Sequence, residues 1–407
     1  MAHHYTIISA DTHAGGSHAQ YREYLDSAYQ EEFDAWREKY RNPYKDLKDT
    51  DLRVRNWDTE RRWADQEADG IVAEVIFPNT IPPFFPSFVL FAPPPSEEDY
   101  PRRLAGVRAH NRWLADFVAE CPERRAGIGQ IFLNNIDDAI ADVRWCHEHG
   151  LRGGVLVPNI PPDVKWIKPL HHPCYDPLWA VCQELGVPVS SHGGTGSPEY
   201  ARTPSSAVLM LAEIPFYSQR PLQQFILGGV FERFPDLRFV ITETGCAWVP
   251  GLLKRLDMLL ASIRKNRAVG ELRFSDDMVL PLSATEYFER NVWVGVSQPG
   301  PDDARVALTF GNPQHFMWGS DYPHDEGTGP YTREHLRQLF HSTPRAQLEP
   351  FLAGNAAELY GFDLAALAPL GERFGPTEDD LSTPLDRLPD KPNEALVRAA
   401  AALKAAS

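Results

Sequence analysis

Met317-Trp318-Gly319-Ser320-Asp321-Tyr322-Pro323-His324 is the stretch on which the fold turns. With Phe316 it opens as a short apolar run, the pattern of a buried strand. The run stops at a small Gly-Ser pair, and a carboxylate (Asp321) and an imidazole (His324) follow at once. Loops after strands carry the chemistry of α/β scaffolds, so this acid and base are placed to bind a metal or move a proton. Three other apolar runs end in the same way. Ile7-Ile8-Ser9-Ala10 leads into Asp11 and His13, Val187-Pro188-Val189-Ser190-Ser191 into His192, and Leu237-Arg238-Phe239-Val240-Ile241-Thr242 into Glu243.

Strand-type runs and amphipathic helices alternate outward from these points. Strands are expected near residues 6–10, 71–77, 126–133, 154–158, 187–191, 238–242, 292–296 and 316–319. Helices are expected over 102–120, 136–149, 175–185, 247–267 and 333–341. Eight strand–helix units predict a (β/α)₈ barrel of TIM type rather than a doubly wound sheet. Glu184-Leu185-Gly186-Val187-Pro188 agrees, with glycine ending a helix just before a strand. The barrel is expected over 1–362, distorted by insertions at about 15–70 and 79–101, with a C-terminal extension over 363–407. The second insertion crowds Pro and Phe into Ile81-Pro82-Pro83-Phe84-Phe85-Pro86-Ser87-Phe88. It follows a strand end, so it reads either as an apolar wall over the reacting face or as a loop packed on its own barrel or a partner subunit.

Composition narrows the function. A net charge of −16 excludes a basic nucleic-acid surface. No apolar run is long enough to span a membrane, and the start of the chain lacks a signal-peptide pattern. The five cysteines are odd in number and show no CxxC spacing, which predicts reduced thiols in a cytoplasmic protein and no thiolate zinc site. The expected partner is a small-molecule substrate, and the expected assembly a homo-oligomer, a dimer.

Asp11, His13, His192, Glu243, Asp321 and His324 form the candidate metal set. Three carboxylates and three imidazoles exceed what one ion needs. This predicts two divalent ions with a bridging hydroxide, iron or manganese ahead of zinc, with a single metal as the alternative. Glu74, inside the second strand run, reads as an ion-pairing residue within the barrel, with facing the site as the alternative. Asn159 and Gln298, after the fourth and seventh strands, are placed for substrate contacts without being required for them.

These motifs resemble the amidohydrolase superfamily, in the branch that includes aminocarboxymuconate-semialdehyde decarboxylase. The resemblance rests on Ser9-Ala10-Asp11-Thr12-His13, Pro169-Leu170-His171-His172-Pro173-Cys174-Tyr175-Asp176-Pro177-Leu178-Trp179, His192-Gly193-Gly194, Gly319-Ser320-Asp321-Tyr322-Pro323-His324 and Asn355-Ala356-Ala357-Glu358-Leu359-Tyr360-Gly361-Phe362. It implies a distorted barrel with metal at the strand ends, His192 and Asp321 as ligands, and Asp321 as general base. The family's first-strand motif, Asp-x-His-x-His, here has Gly15 at its last position, and Glu243 stands where the decarboxylases have a sixth-strand histidine. The two departures favour a hydrolase that cleaves an amide, ester or thioester with a metal-activated water. In that reading Asp321 accepts the proton, and His324 is a ligand or stabilises the oxyanion. The alternative is a metal-dependent, non-oxidative decarboxylase of an unsaturated or aromatic acid.

Overall fold

The computed structural model describes residues 3–40, 53–201 and 203–406. Eight parallel strands stand side by side in chain order: β1 (Ile8–Ala14), β2 (Ala73–Pro78), β3 (Arg125–Gln130), β4 (Gly154–Leu156), β5 (Val189–His192), β6 (Phe239–Thr242), β7 (Val292–Ser297) and β8 (Phe316–Gly319). Helices lie between most of them, and the whole is a (β/α)₈ barrel. The strands are buried on both faces, which is why they read as apolar runs rather than as alternating ones. One core layer fills the barrel with Ile8, Ala10, Ala73, Val75, Ile128, Val240 and Met317. A second packs the outer strand faces on the helices through Ile76, Val155, Phe239, Ile241, Val294 and Trp318.

The barrel closes through main chain at the reacting end. Thr12 of β1 bridges to Tyr322, just past β8. Asp321 N donates to Asp11 O at 2.9 Å, and His13 N to Tyr322 O at 2.7 Å. Ser9 Oγ reinforces the seam, 2.9 Å from Ser320 Oγ and 2.8 Å from Ser320 N. Gly319 is required here, because a Cβ on it would lie 2.7 Å from Asp11 Cβ.

β1 runs further than its sequence suggests. Asp11 and His13 lie inside it, not past its end, because main-chain pairing continues to Ala14 opposite Pro78. The register shifts between Ser9 and Thr12, and such an irregularity re-aims side chains. Several helices carried no clear sequence signal, among them Ser206–Ser218, Arg220–Leu227, Ala284–Asn291 and Pro301–Thr309. The expected stop at Gly186 is present, with left-handed φ of 63°.

The first insertion supplies helices His18–Tyr24, Ser27–Lys39 and Thr59–Ala68; residues 41–52 lie outside the described residues. The second has no regular structure, and Ile81, Phe84 and Phe85 are buried in it. The C-terminal segment folds back on its own barrel. Asn393 Nδ2 donates to the carbonyls of Gly327, Thr328 and Gly329 at 3.0, 2.8 and 3.0 Å. Helix Glu394–Ala406 then lies beside the loop after β7, where Arg398 donates to Gln298 Oε1. The five cysteines are unpaired. No helix among the described residues is long and apolar enough to cross a membrane.

Candidate metal centre

The six candidate side chains converge at the C-terminal rim of the barrel. Asp11 and His13 come from β1 and His192 ends β5, while Glu243, Asp321 and His324 follow β6 and β8. His13 Nε2 lies 3.4 Å from Asp11 Oδ1 and 3.2 Å from Asp321 Oδ1. His192 Nε2 lies 3.4 Å from Asp11 Oδ1 and 3.2 Å from Glu243 Oε2. Asp11, His13, His192 and Asp321 are fully buried, and Glu243 and His324 are partly exposed.

Hydrogen bonds fix the tautomers that metal ligation needs. His192 Nδ1 is 3.0 Å from the Gly193 carbonyl, and His13 Nδ1 is 3.4 Å from that of Pro78. A ring whose Nδ1–H faces a carbonyl turns its Nε2 to the opposite side, the orientation of metal-binding histidines. Both Nε2 atoms point at the carboxylates: that of His192 is hydrogen-bonded to Asp11 Oδ1, and that of His13 has no hydrogen-bond partner of its own. Donor atoms about 2.1 Å from a shared cation lie about 3.0–3.4 Å apart, for octahedral or tetrahedral angles. The distances above fall on that scale.

Charge tells the same story. Burial disfavours the charged forms of His192 and His324, but nearby carboxylates outweigh it. Glu243 and Asp11 lift His192 to about 9, and Asp321 and Glu243 lift His324 to about 10. Burial, helped by the charge of Asp321, raises Glu243 to about 8. Burial also opposes the charge of Asp321, yet His324 and His13 hold it below the usual carboxylate range. Burial and His324 together lower His13. The carboxylates draw positive charge in, and a divalent cation meets the same demand.

Three groups of side-chain donors overlap. One is Asp11, His13, His192 and Glu243, another His13, Asp321 and His324, and the third Glu243, Asp321 and the exposed Glu326. His324 differs from the other two imidazoles. Its Nδ1 lies 2.8 Å from Asp321 Oδ1 and its Nε2 3.1 Å from Asn79 Oδ1. Two oxygen acceptors require both N–H groups, so this ring is held as an imidazolium.

Glu243 and Gln298 follow a strand directly and Asp321 lies one residue further on, with φ of 56°, 42° and 63°. Left-handed backbone is uncommon for residues other than glycine and is sustained where the surroundings impose it, often at functional sites. Gln298 uses its position to donate from Nε2 to Asp321 Oδ2 at 2.9 Å. Ser297 Oγ donates to Asp11 Oδ2. Sequence gives Ser297 no signal beyond its place at a strand end. Gly193 is the second glycine the rim needs, since a Cβ there would lie 2.4 Å from Glu243 O.

Gly15 has a structural cause. A Cβ at this position would lie 2.3 Å from Thr80 Oγ1 and 2.8 Å from Tyr21 Oη, so a histidine has no room. Cys246 packs away from the centre, its Sγ 3.2 Å from the Asp303 carbonyl. Asn159 braces the loop after β5, donating to Ser191 Oγ at 3.1 Å and Thr195 Oγ1 at 2.5 Å.

Comparison with known proteins places this geometry. The chain is 24% identical over 313 residues to a 2-amino-3-carboxymuconate-6-semialdehyde decarboxylase of Dictyostelium discoideum, covering 75% of this chain and 77% of that one. Its fold is similar to that of 5-carboxyvanillate decarboxylase of Novosphingobium aromaticivorans, solved with manganese and 4-hydroxy-3-methoxy-5-nitrobenzoic acid. There the TM-score is 0.65 at 19% identity, over 88% of this chain and 96% of the other. It is also similar to a dihydroxybenzoic acid decarboxylase of Polaromonas sp. with bound manganese and 2-nitroresorcinol (TM-score 0.59, 17% identity, 88% and 97% covered). These relatives overturn the expected acyl-bond hydrolase, and with it the thioesterase and iron readings: their named activity breaks a carbon–carbon bond. The departures at Gly15 and Glu243 had argued for hydrolysis, but Glu243 stands in one donor group with Asp11, His13 and His192, and His13 joins that group to Asp321 and His324. Residues 34–362 match the sequence profile described as Amidohydrolase, and the chain belongs to that family.

Proposed function

We propose that this protein is a metal-dependent, non-oxidative decarboxylase of an unsaturated or aromatic acid. The carrying observation is a buried carboxylate–imidazole cluster in which the Nε2 atoms of His13 and His192 face Asp11, Glu243 and Asp321, next to a His324 ring held between Asp321 and Asn79. The first can hold a cation, and the second can hold a proton. The named activities of the relatives support the same reading.

Asp11, His13, His192 and Asp321 would hold one divalent cation, with Glu243 at its more exposed side. Manganese is the first choice, since two similar structures contain it. A bound cation would supply positive charge that fixes the substrate's anionic oxygens. The chain's own residues do the rest. Asp321 orients His324 and keeps it protonated. His324 delivers its proton to the carbon that bears the carboxylate, the carbon–carbon bond then breaks, and carbon dioxide leaves. The new C–H bond takes its electron pair from the substrate's π system, and the pair released by the broken carbon–carbon bond restores that π system. Water returns a proton to His324. Asn79 and Asp321 hold the imidazolium between them, so the proton has a fixed direction.

The test uses the manganese-loaded protein with a panel of unsaturated and aromatic acids. Carbon dioxide should appear, and in heavy water the product should carry one deuterium at the vacated carbon. Release of a thiol, alcohol or amine from acyl substrates, with no carbon dioxide from any acid, would refute the proposal.

A further inference from the structure

Arg103 is a buried cation without a counter-ion. It sits near the start of helix Tyr100–Ala119 and is 4% exposed. Burial lowers its pKa to about 10, so it stays charged at neutral pH. Its Nη1 donates to the Pro93 carbonyl at 2.8 Å, and its guanidinium lies 4.3 Å from the Phe85 ring centre and 5.4 Å from that of Phe132. Nε and Nη2 have no acceptor among the described residues. The neighbouring acid, Asp99, is engaged by Arg102. An unpaired buried charge is costly, and a protein retains one where a partner arrives from outside.

The surroundings suit such a partner. Arg103 lines a cavity of about 740 Å³, walled by Phe85, Phe91, Phe132, Leu156 and Pro158. Gln130, which ends β3, is 3% exposed and lines the same cavity, and its Nε2 is a second buried donor without an acceptor. The cavity also reaches Gly194, two residues past His192, so it opens on the face that carries the metal centre. Apolar walls with a few convergent donors are the usual build of a small-molecule site.

The geometry points to a second-anion subsite, in which Arg103 with Gln130 binds a carboxylate of the substrate distant from the one that is lost. The substrate class is then an unsaturated or aromatic dicarboxylate, with its apolar body against Phe85, Phe91 and Phe132. This rests on the decarboxylase reading for the placement of the reacting carboxylate at the metal centre. The stacked phenyl rings and the planar fork of arginine favour a flat ligand with a carboxylate in the ring plane.

Binding to the manganese-loaded protein tests it without turnover, by calorimetry with benzoate, isophthalate and terephthalate. At least one dicarboxylate should bind about tenfold or more tighter than benzoate, the scale of a hydrogen bond to a charged group. Arg103→Met should bring that ratio close to one while the melting temperature holds or rises, because an unpaired buried charge has been removed. Arg103→Lys should keep part of the preference, and Gln130→Leu should lose a smaller part than Arg103→Met. The subsite is refuted if neither dicarboxylate outbinds benzoate on the unaltered protein. It is also refuted if Arg103→Met melts lower and keeps the preference, which would assign the arginine to holding the Pro93 loop. A dicarboxylate preference without carbon dioxide release from any acid would sink the decarboxylase and leave the subsite. Carbon dioxide release without that preference would sink the subsite alone.

Discussion

Two clusters of buried charge lie a few residues apart in this barrel, and they differ in how completely they are answered. In the outer one, Glu74 of β2 faces the helices. Arg62 and Arg125 pair with it, and Thr12 and Gln66 donate to it at 3.0 Å. Burial opposes its charge, but the two guanidiniums hold its pKa down near 2. In the inner one, Asp11 and His13 flank that same Thr12 and meet His192, Glu243 and Asp321. The carboxylates lift the pKa values of His192 and His324, and the Nε2 of His13 stays bare. A charge that the chain itself neutralises is structure. Acid-rich groups that still draw positive charge form a site that calls for a ligand.

Asp321→Asn should break the contrast most sharply. It removes both the charge that holds His324 as a cation and one donor to the metal. Carbon dioxide release should fall about 10³–10⁴-fold while thermal melting changes little. Wild-type turnover by this variant would remove Asp321 from the chemistry. Glu74→Gln should do the reverse. It leaves two buried guanidiniums without their carboxylate, so denaturant unfolding should show a loss of about 3–5 kcal/mol. The folded fraction should still bind metal.

The outer cluster also sets an acid limit. Glu74 has a folded pKa of about 2 against an ordinary 4.5, so its contribution is complete above about 4.5 and is lost as pH falls towards 2. Unfolding measured from pH 6 to pH 2.5 should show a slope worth about 2–3 kcal/mol that Glu74→Gln flattens. An equal slope in both proteins would place the acid-sensitive group elsewhere. Gln298→Leu is the mildest change, because it removes the amide that orients Asp321 and, besides that, only an exposed acceptor of Arg398. Activity or metal affinity should drop about 10-fold, within the range of outer-shell partners, and stability should stay the same. No change in either would reduce Gln298 to a neighbour.

Much of the site was legible because barrels bring strand ends to one rim. Four apolar runs ending in Asp, His or Glu located all six side chains of the cluster. The sequence put Asp11 and His13 past the end of β1; main-chain pairing up to Ala14 keeps them inside it. Functional class was less legible. Gly15 looked like a lost ligand, whereas Thr80 and Tyr21 fill the space that a histidine would need. Glu243 looked like a change of chemistry, but its local sequence says nothing of the left-handed backbone at this residue or of its place beside Asp11, His13 and His192.

The sequence by itself determined the alternation of strands and helices, the glycine stops and the residue types at each strand end, because periodicity and turn chemistry are local. Only the tertiary structure decided which Nε2 atom stays bare, that His324 is held from both sides, that Glu74 is answered and that Arg103 is not. Those outcomes depend on β1 meeting β8 and on loops crossing the rim. Such contacts join residues hundreds of positions apart, and no window of sequence contains both partners.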